Sequence, residues 1–400
     1  VSTPGTTRGT GTARSGGSPL ALGIAFLTLL LIGTDLFLVS PLLPAIAAAH
    51  GVSTGAAGTS VTAFSAAYVV GAPLGGALAD RVGRRGVLVV GLTGFALANV
   101  LTGLPLGFAV LLVARVLAGL FAAGVTPSLL ALVGQSAPPA RRGVWLSTAM
   151  AGFLVSLTTG APTGTAVAAA LGWEAAFLGL GVLTLVLAVV NRFTWPRGAG
   201  AVAAAPGARK LPLTTKLRAA SVTGTWAFAV YSFYTYLGAG LADVAGFTTG
   251  TTALALVVYG LGAVAGSLSG GTLADRHGAG RVVATSLLVL GVVLLVVDAL
   301  LGAPAWLLIA CLGLFALLAY PCLPAYQSRL VATFPAESGS VLAWNSSFMY
   351  LGTSLGSAVG GLLLSAGFRW IPIAGAVAAA LGVVVHHRWS LPGRPVEVAA

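Results

Sequence analysis

The run Gly76-Ala77-Leu78-Ala79-Asp80-Arg81-Val82-Gly83-Arg84 returns as Gly271-Thr272-Leu273-Ala274-Asp275-Arg276-His277-Gly278-Ala279. The second copy starts 195 residues after the first, close to half of the 400-residue chain. Each copy closes one long apolar stretch and opens the next. A charged turn between two membrane-length stretches, duplicated at half-length, restricts the chain to two similar halves joined in tandem.

The chain is 57% hydrophobic and only 7% charged, whereas a soluble domain carries about 25% charged residues. This excludes an ordinary soluble enzyme and predicts an all-α membrane protein. Twelve spans are expected, near 20–42, 60–80, 86–104, 107–129, 144–166, 173–194, 219–240, 252–274, 282–301, 305–327, 339–364 and 369–387. Each is close to the ~20 residues that cross the hydrocarbon core. The net charge of +12 is topological rather than a nucleic-acid patch. With these spans, all but two of the 20 Lys and Arg fall on one side; Arg369 lies opposite and Arg115 lies inside the bilayer. The positive-inside rule then places both termini in the cytoplasm, with the chain in the cell membrane. Residues 20–49 are too long an apolar stretch for a signal peptide and contain Asp35, so they are expected to remain as the first span.

The expected organisation is a disordered tail (1–17), a six-helix bundle (18–195), a basic linker (196–218), a second bundle (219–388) and a short tail (389–400). Cys311 and Cys322 are expected on one helix, too far apart to bond, as small core residues. Glycine accounts for 56 residues, roughly double the usual ~7%. Gly-xxx-Gly rows run through span 2 (Gly71, Gly75), span 5 (Gly160, Gly164), span 8 (Gly262, Gly266, Gly270) and span 11 (Gly352, Gly356, Gly360). Any one row reads as helix pairing; four at symmetric places suggest surfaces along which one half moves against the other.

These features resemble the major facilitator superfamily over residues 20–388. The hinge run 76–85 meets its Gly-x-Leu-Ala-Asp-Arg-x-Gly-Arg-Arg/Lys motif at every defined position. Arg115 followed by Gly119, and Asp35 before Pro41-Leu42-Leu43-Pro44, are similar to twelve-span drug/proton antiporters. Gly160-Ala161-Pro162-Thr163-Gly164 followed by Gly172-Trp173 looks like the sugar-efflux and arabinose-efflux-like branch. Ala161, Thr165 and Ala166 depart from the antiporter form, which has glycine there, and Glu174 stands where that branch has Arg.

A charged Asp near the middle of a span costs about 2.5–3.5 kcal/mol on insertion scales. Asp35 therefore faces a cavity, pairs with a cation, or stays protonated. Arg115, the only cation expected inside the membrane, is the candidate to tune it, and the resemblance implies that both carry proton coupling. Asp80 ends span 2, where its charge opposes the helix dipole. By resemblance Gly76, Asp80, Arg81, Gly83, Arg84 and Arg85 form a gating hinge that latches the cytoplasmic side against span 11. Asp275 and Arg276 form a weaker copy. The family further implies a route between the halves, with Phe37, Phe121, Trp226, Tyr231, Tyr234, Tyr320, Tyr326 and Asn345 as lining candidates and Gly160, Pro162 and Gly164 as the helix-5 motif. Packed, structural roles are the alternative for each.

The four histidines lack metal-ligand spacing, and no Gly-x-x-x-x-Gly-Lys-Ser/Thr phosphate loop is present. No enzyme activity, metal or cofactor is expected. The reading is a monomeric secondary transporter that exports a small organic molecule by alternating access in exchange for protons. A proton-independent facilitator, a sugar, nucleoside or amino-acid exporter, and a non-transporting membrane sensor or scaffold are the alternatives.

Overall fold

A computed structural model describes residues 18–138, 141–196 and 211–388, apart from the side chains of Pro73, Gly76, Ala77, Asp80, Gly143, Ala336, Ser338 and Gly339. The expected tails and most of the basic linker lie outside the described residues. Within them the chain forms α1 (Pro19–His50), α2 (Thr54–Val82), α3 (Arg84–Thr102), α4 (Phe108–Ser136), α5 (Arg142–Leu171) and α6 (Trp173–Thr194). The second half holds α7 (Leu213–Asp243), α8 (Thr249–His277), α9 (Ala279–Ala299), α10 (Ala305–Ala319), α11 (Cys322–Thr333), α12 (Ser338–Leu364) and α13 (Trp370–Arg388). The two halves are pseudo-symmetric six-span bundles.

Ten of these segments, with α10 and α11 taken as one, are long and apolar enough to cross a membrane. α7 is an exception, and its burial shows why. Between Ala219 and Leu241 nearly every α7 side chain is buried against protein, so it needs no apolar face for lipid and carries Thr, Ser and Tyr instead.

The tenth span departs from expectation. It breaks between Ala319 and Cys322 because Pro321 has no N–H to donate and its ring crowds the preceding turn. The indole of Trp226 donates to the Ala319 carbonyl at this break, at 2.9 Å. Cys311 and Cys322 consequently sit on two helices rather than one, both buried and both free. α7 also starts at Leu213 rather than 219. Glu337, before α12, holds that start through the Leu211 N–H and Lys216, the latter 3.0 Å away.

The internal repeat is written into the turns. Gly83 and Gly278 take φ of 81° and 84°, and Gly172 and Gly367 take 91° and 120°, values that side chains with a Cβ rarely adopt. Ser53 and Thr248, again 195 apart, cap α2 and α8 by accepting from the N–H of Ala56 and Thr251.

The glycine rows do not face the other half, contrary to expectation. Gly71 and Gly75 press on Leu120 to Gly124 of α4, and Gly262 and Gly266 on Gly313 and Leu317 of α10. Gly160 and Gly164 meet Thr34 to Leu38 of α1, while Gly352, Gly356 and Gly360 meet Gly224 to Tyr236 of α7. Where a Cβ would stand at Gly262, the Gly313 carbonyl oxygen is 2.2 Å away. Backbones this close lock helices inside a bundle; they do not let bundles slide.

Contact between halves involves other residues. Tyr234 donates to the Phe37 carbonyl and its own carbonyl accepts from Ser40. Ser354 donates to the Thr62 carbonyl, and the hydroxyls of Thr62 and Ser357 are 2.7 Å apart. Gly55 approaches Gly361, Gly238 approaches Pro41, and Gly260 approaches Leu157. Among the described residues, these contacts lie at mid-height or toward the end away from the Gly83 and Gly278 turns. The halves are thus closed against each other at the end opposite the basic turns.

Candidate functional site

α1 is buried along most of its length between Ala21 and Ala47, so the Asp35 carboxylate meets no water; it is 0% exposed. α4 brings its partner. Arg115, 1% exposed, donates Nη1 to Oδ1 at 2.8 Å and Nη2 to Oδ2 at 2.9 Å. This fork-to-fork geometry satisfies both oxygens of a carboxylate with two charge-assisted bonds. Phe64 of α2 and Phe177 of α6 cover the guanidinium, with ring centroids 4.7 and 5.6 Å from its carbon. The Arg115 Nε has no partner. A proton on Asp35 removes an acceptor and leaves a buried cation uncompensated, so the pair is intact only while both members are charged.

Five of the expected lining residues converge. The rings of Phe37 and Tyr234 are 5.6 Å apart across the two halves, and Trp226 meets Tyr320 at 5.5 Å and Tyr231 at 6.4 Å. Tyr259 of α8 completes the group, 5.2 Å from the Tyr234 ring and with its hydroxyl 3.2 Å from that of Tyr320. The other three lie elsewhere. Phe121 points at α3, where Gly94 makes room for its ring, and is off the route between the halves. Tyr326 donates to the Ala219 carbonyl and tethers α11 to α7 near the basic end. Asn345 accepts from Thr223 and is buried between α12 and α7, with its Nδ2 unpartnered.

A second aromatic contact across the halves has no counterpart among the expected residues. Tyr68 of α2 and Tyr350 of α12 stack at 3.5 Å with their planes 19° apart, and Phe64 lies 6.5 Å from both. Phe64 thus touches Arg115 on one side and the Tyr68–Tyr350 stack on the other. The internal repeat held a signal for part of this: Phe64 and Tyr259 are 195 residues apart, and both are buried aromatics.

At the hinge, Gly83 makes the turn that its positive φ requires. Arg81 is exposed, and Arg85 donates to the Arg192 carbonyl of α6. The Gly76 and Asp80 side chains lie outside the described residues. Asp275 and Arg276 are exposed at the end of α8. In α5, Gly160 and Gly164 admit α1 beside Pro162, holding the Asp35 turn against α5.

The family model described as Major Facilitator Superfamily matches residues 25–250 and 219–399. The chain is 31% identical over 367 residues to the inner membrane transport protein YdhP of Escherichia coli (strain K12), covering 88% of this chain and 92% of that one. It is 33% identical over 266 residues to a chloramphenicol resistance protein of Streptomyces lividans, covering 65% and 68%. An uncharacterized MFS-type transporter of Bacillus subtilis, YbcL, is 28% identical over 89% of this chain and 90% of its own. Among solved structures, a bacterial homologue of the human lysosomal transporter Spinster, inward-facing and occupied, superposes with a TM-score of 0.78. It covers 94% of this chain and 98% of that one at 17% identity, which speaks for the fold alone.

Proposed function

The chain belongs to the major facilitator superfamily and is a multi-pass membrane transporter, not an enzyme; on that premise we propose that it exports a small organic molecule in exchange for protons. The observation that carries this reading is the bidentate Asp35–Arg115 pair, an ion pair with no access to water inside a transport scaffold. Intramembrane ionisable residues are expensive and serve proton or substrate pathways by default.

The proposed cycle rests on linkage between that pair and the closure of the halves, taken as 18–195 and 219–388. The basic turns face the cytoplasm, so the halves closed at the other end form an inward-facing state. In it Asp35 is ionised and held by Arg115. When the halves rock and close at the cytoplasmic end, with the Asp80 hinge as latch, Asp35 accepts a proton from outside. The return releases that proton inside. Each proton moved down the gradient supplies about 2.3 kcal/mol per 100 mV and about 1.4 kcal/mol per pH unit. The solute surface is the aromatic group of Phe37, Trp226, Tyr231, Tyr234, Tyr259 and Tyr320, which suits an apolar or amphipathic molecule. The similarity to a chloramphenicol resistance protein supports export of such compounds.

Ala161, Thr165 and Ala166 favour a second reading, a proton-independent facilitator or metabolite exporter. One experiment separates the two. In proteoliposomes holding the purified monomer, a pH gradient drives uptake of a chloramphenicol-like solute by the wild type. Asp35→Asn is expected to abolish that driven uptake while solute exchange without a gradient survives. Full gradient-driven transport by Asp35→Asn removes Asp35 from the mechanism.

A further inference from the structure

The broken tenth span leaves a groove on the flank of the second bundle, away from the route between the halves. It has a volume of about 530 Å³ and lies between α8, α9 and the α10–α11 break. Its chemistry is graded along the membrane normal. Val289 and Leu317 line the deep part, Leu273 and Pro321 lie above them, and His277 and Arg281 stand at the mouth, at the basic end. From Arg281 to Val289 the helix rises about 12 Å, enough for a substantial part of one acyl chain. His277 and Arg281 are exposed. Arg329, which contacts His386 at 3.2 Å, lies close to Gly280 in the first turn of α9 and adds to the positive field there. The N-terminus of α9, which has no side-chain cap, adds a further partial positive charge.

A slot that is apolar apart from Ser269, Thr285 and Ser286, with Arg281 and His277 at a mouth opening where the acyl region meets the headgroups, matches one kind of molecule. We propose that this groove seats one anionic phospholipid, with an acyl chain against Val289, Leu317 and Pro321 and its phosphate against Arg281 and His277. A zwitterionic lipid fits the slot equally well but offers the mouth no net charge. The preference is therefore electrostatic, and retention depends on the slot. The seat also braces the span break that holds Trp226 and Tyr320, linking the surrounding lipid to the aromatic group.

Native mass spectrometry of the full chain in detergent tests this, with phosphatidylglycerol and phosphatidylcholine of identical chains added separately. The wild type is expected to retain one phosphatidylglycerol at about ten-fold lower lipid concentration than phosphatidylcholine. Arg281→Gln with His277→Gln should reduce that ratio to near one. Val289→Trp, which fills the slot, should lose both lipids. Equal retention of the two lipids by the wild type, or an undiminished preference in the double variant, overturns the proposal. So does displacement of the bound lipid by inorganic phosphate at millimolar concentration, since that would place binding at the cations alone. Photo-crosslinking needs no variant: a phosphatidylglycerol with a diazirine in its acyl chain should label residues 282–289 and 317–321 of the wild type. Labelling spread evenly over the lipid-facing helices contradicts the seat.

Discussion

The two halves share a scaffold and divide the chemistry. The glycine turns at Gly51, Gly83 and Gly172 recur 195 residues on, again at positive φ, yet the positions 195 after Asp35 and Arg115 are Val230 and Ala310. The first half contains the buried ion pair, and the second contains most of the aromatic group, four of whose members are tyrosines. The same difference shows at the hinges, where Arg84 and Arg85 are matched by Ala279 and Gly280. Duplication therefore preserved what closes a bundle and released what faces its interior. In the proposed cycle one half senses charge and the other meets the solute.

The largest effect that would sharpen this contrast is on stability. Asp35→Ala strands the Arg115 cation and should cost about 3–5 kcal/mol, whereas Asp35→Asn with Arg115→Met removes both charges and should recover most of it. Thermal unfolding in detergent reads the difference; equal losses would mean that the pair is not buried as described. Next come the glycines. Gly262→Ala drives a Cβ into the Gly313 backbone and should cost about 1–3 kcal/mol. Gly23→Ala, with nothing within 4 Å, should leave the melting temperature unchanged or slightly raised. Gly55→Leu acts on a different quantity. Its side chain meets the Gly361 carbonyl across the halves, 2.5 Å from the Cβ position, so it should disfavour closure at that end. Fluorescence transfer between labels at Leu104 and Gly302 would then report a longer distance without loss of fold; an unchanged distance would place the closure elsewhere. The smallest effect is expected from Tyr259→Phe, which removes the contact with the Tyr320 hydroxyl for about 0.5–1.5 kcal/mol.

Fold and site were legible in the sequence to different depths. Hydrophobic runs and the placement of Lys and Arg pointed to twelve spans, because burial in lipid constrains every residue along a helix. The repeated charged turn pointed to two halves. What escaped was direction around each helix axis. The rows at Gly71 and Gly262 announce close helix contact, but a glycine carries no information about which neighbour approaches it. Phe121 shows the same limit: an aromatic at the right depth faces α3 because Gly94 leaves room there. Asp35 and Arg115 stood out because an intramembrane charge demands compensation; their bidentate contact depends on the relative height of α1 and α4, which no local pattern encodes. Tyr68 and Tyr350 come from distant parts of the chain, and only the packed halves bring them together. The expectation of one unbroken tenth span failed at Pro321, because hydropathy across 305–327 does not register a missing N–H.

The central claim is that the charge on Asp35 is linked to closure of the halves at the end opposite the basic turns. Electron–electron resonance distances between spin labels at Leu104 and Gly302, recorded from neutral to acidic pH, test it directly. In the proposed cycle Asp35 carries its proton in the state that is open at that end. Acidification should therefore lengthen the distance in the wild type and leave it fixed in Asp35→Asn. An Asp35→Asn protein that lengthens with acid as far as the wild type would contradict the account.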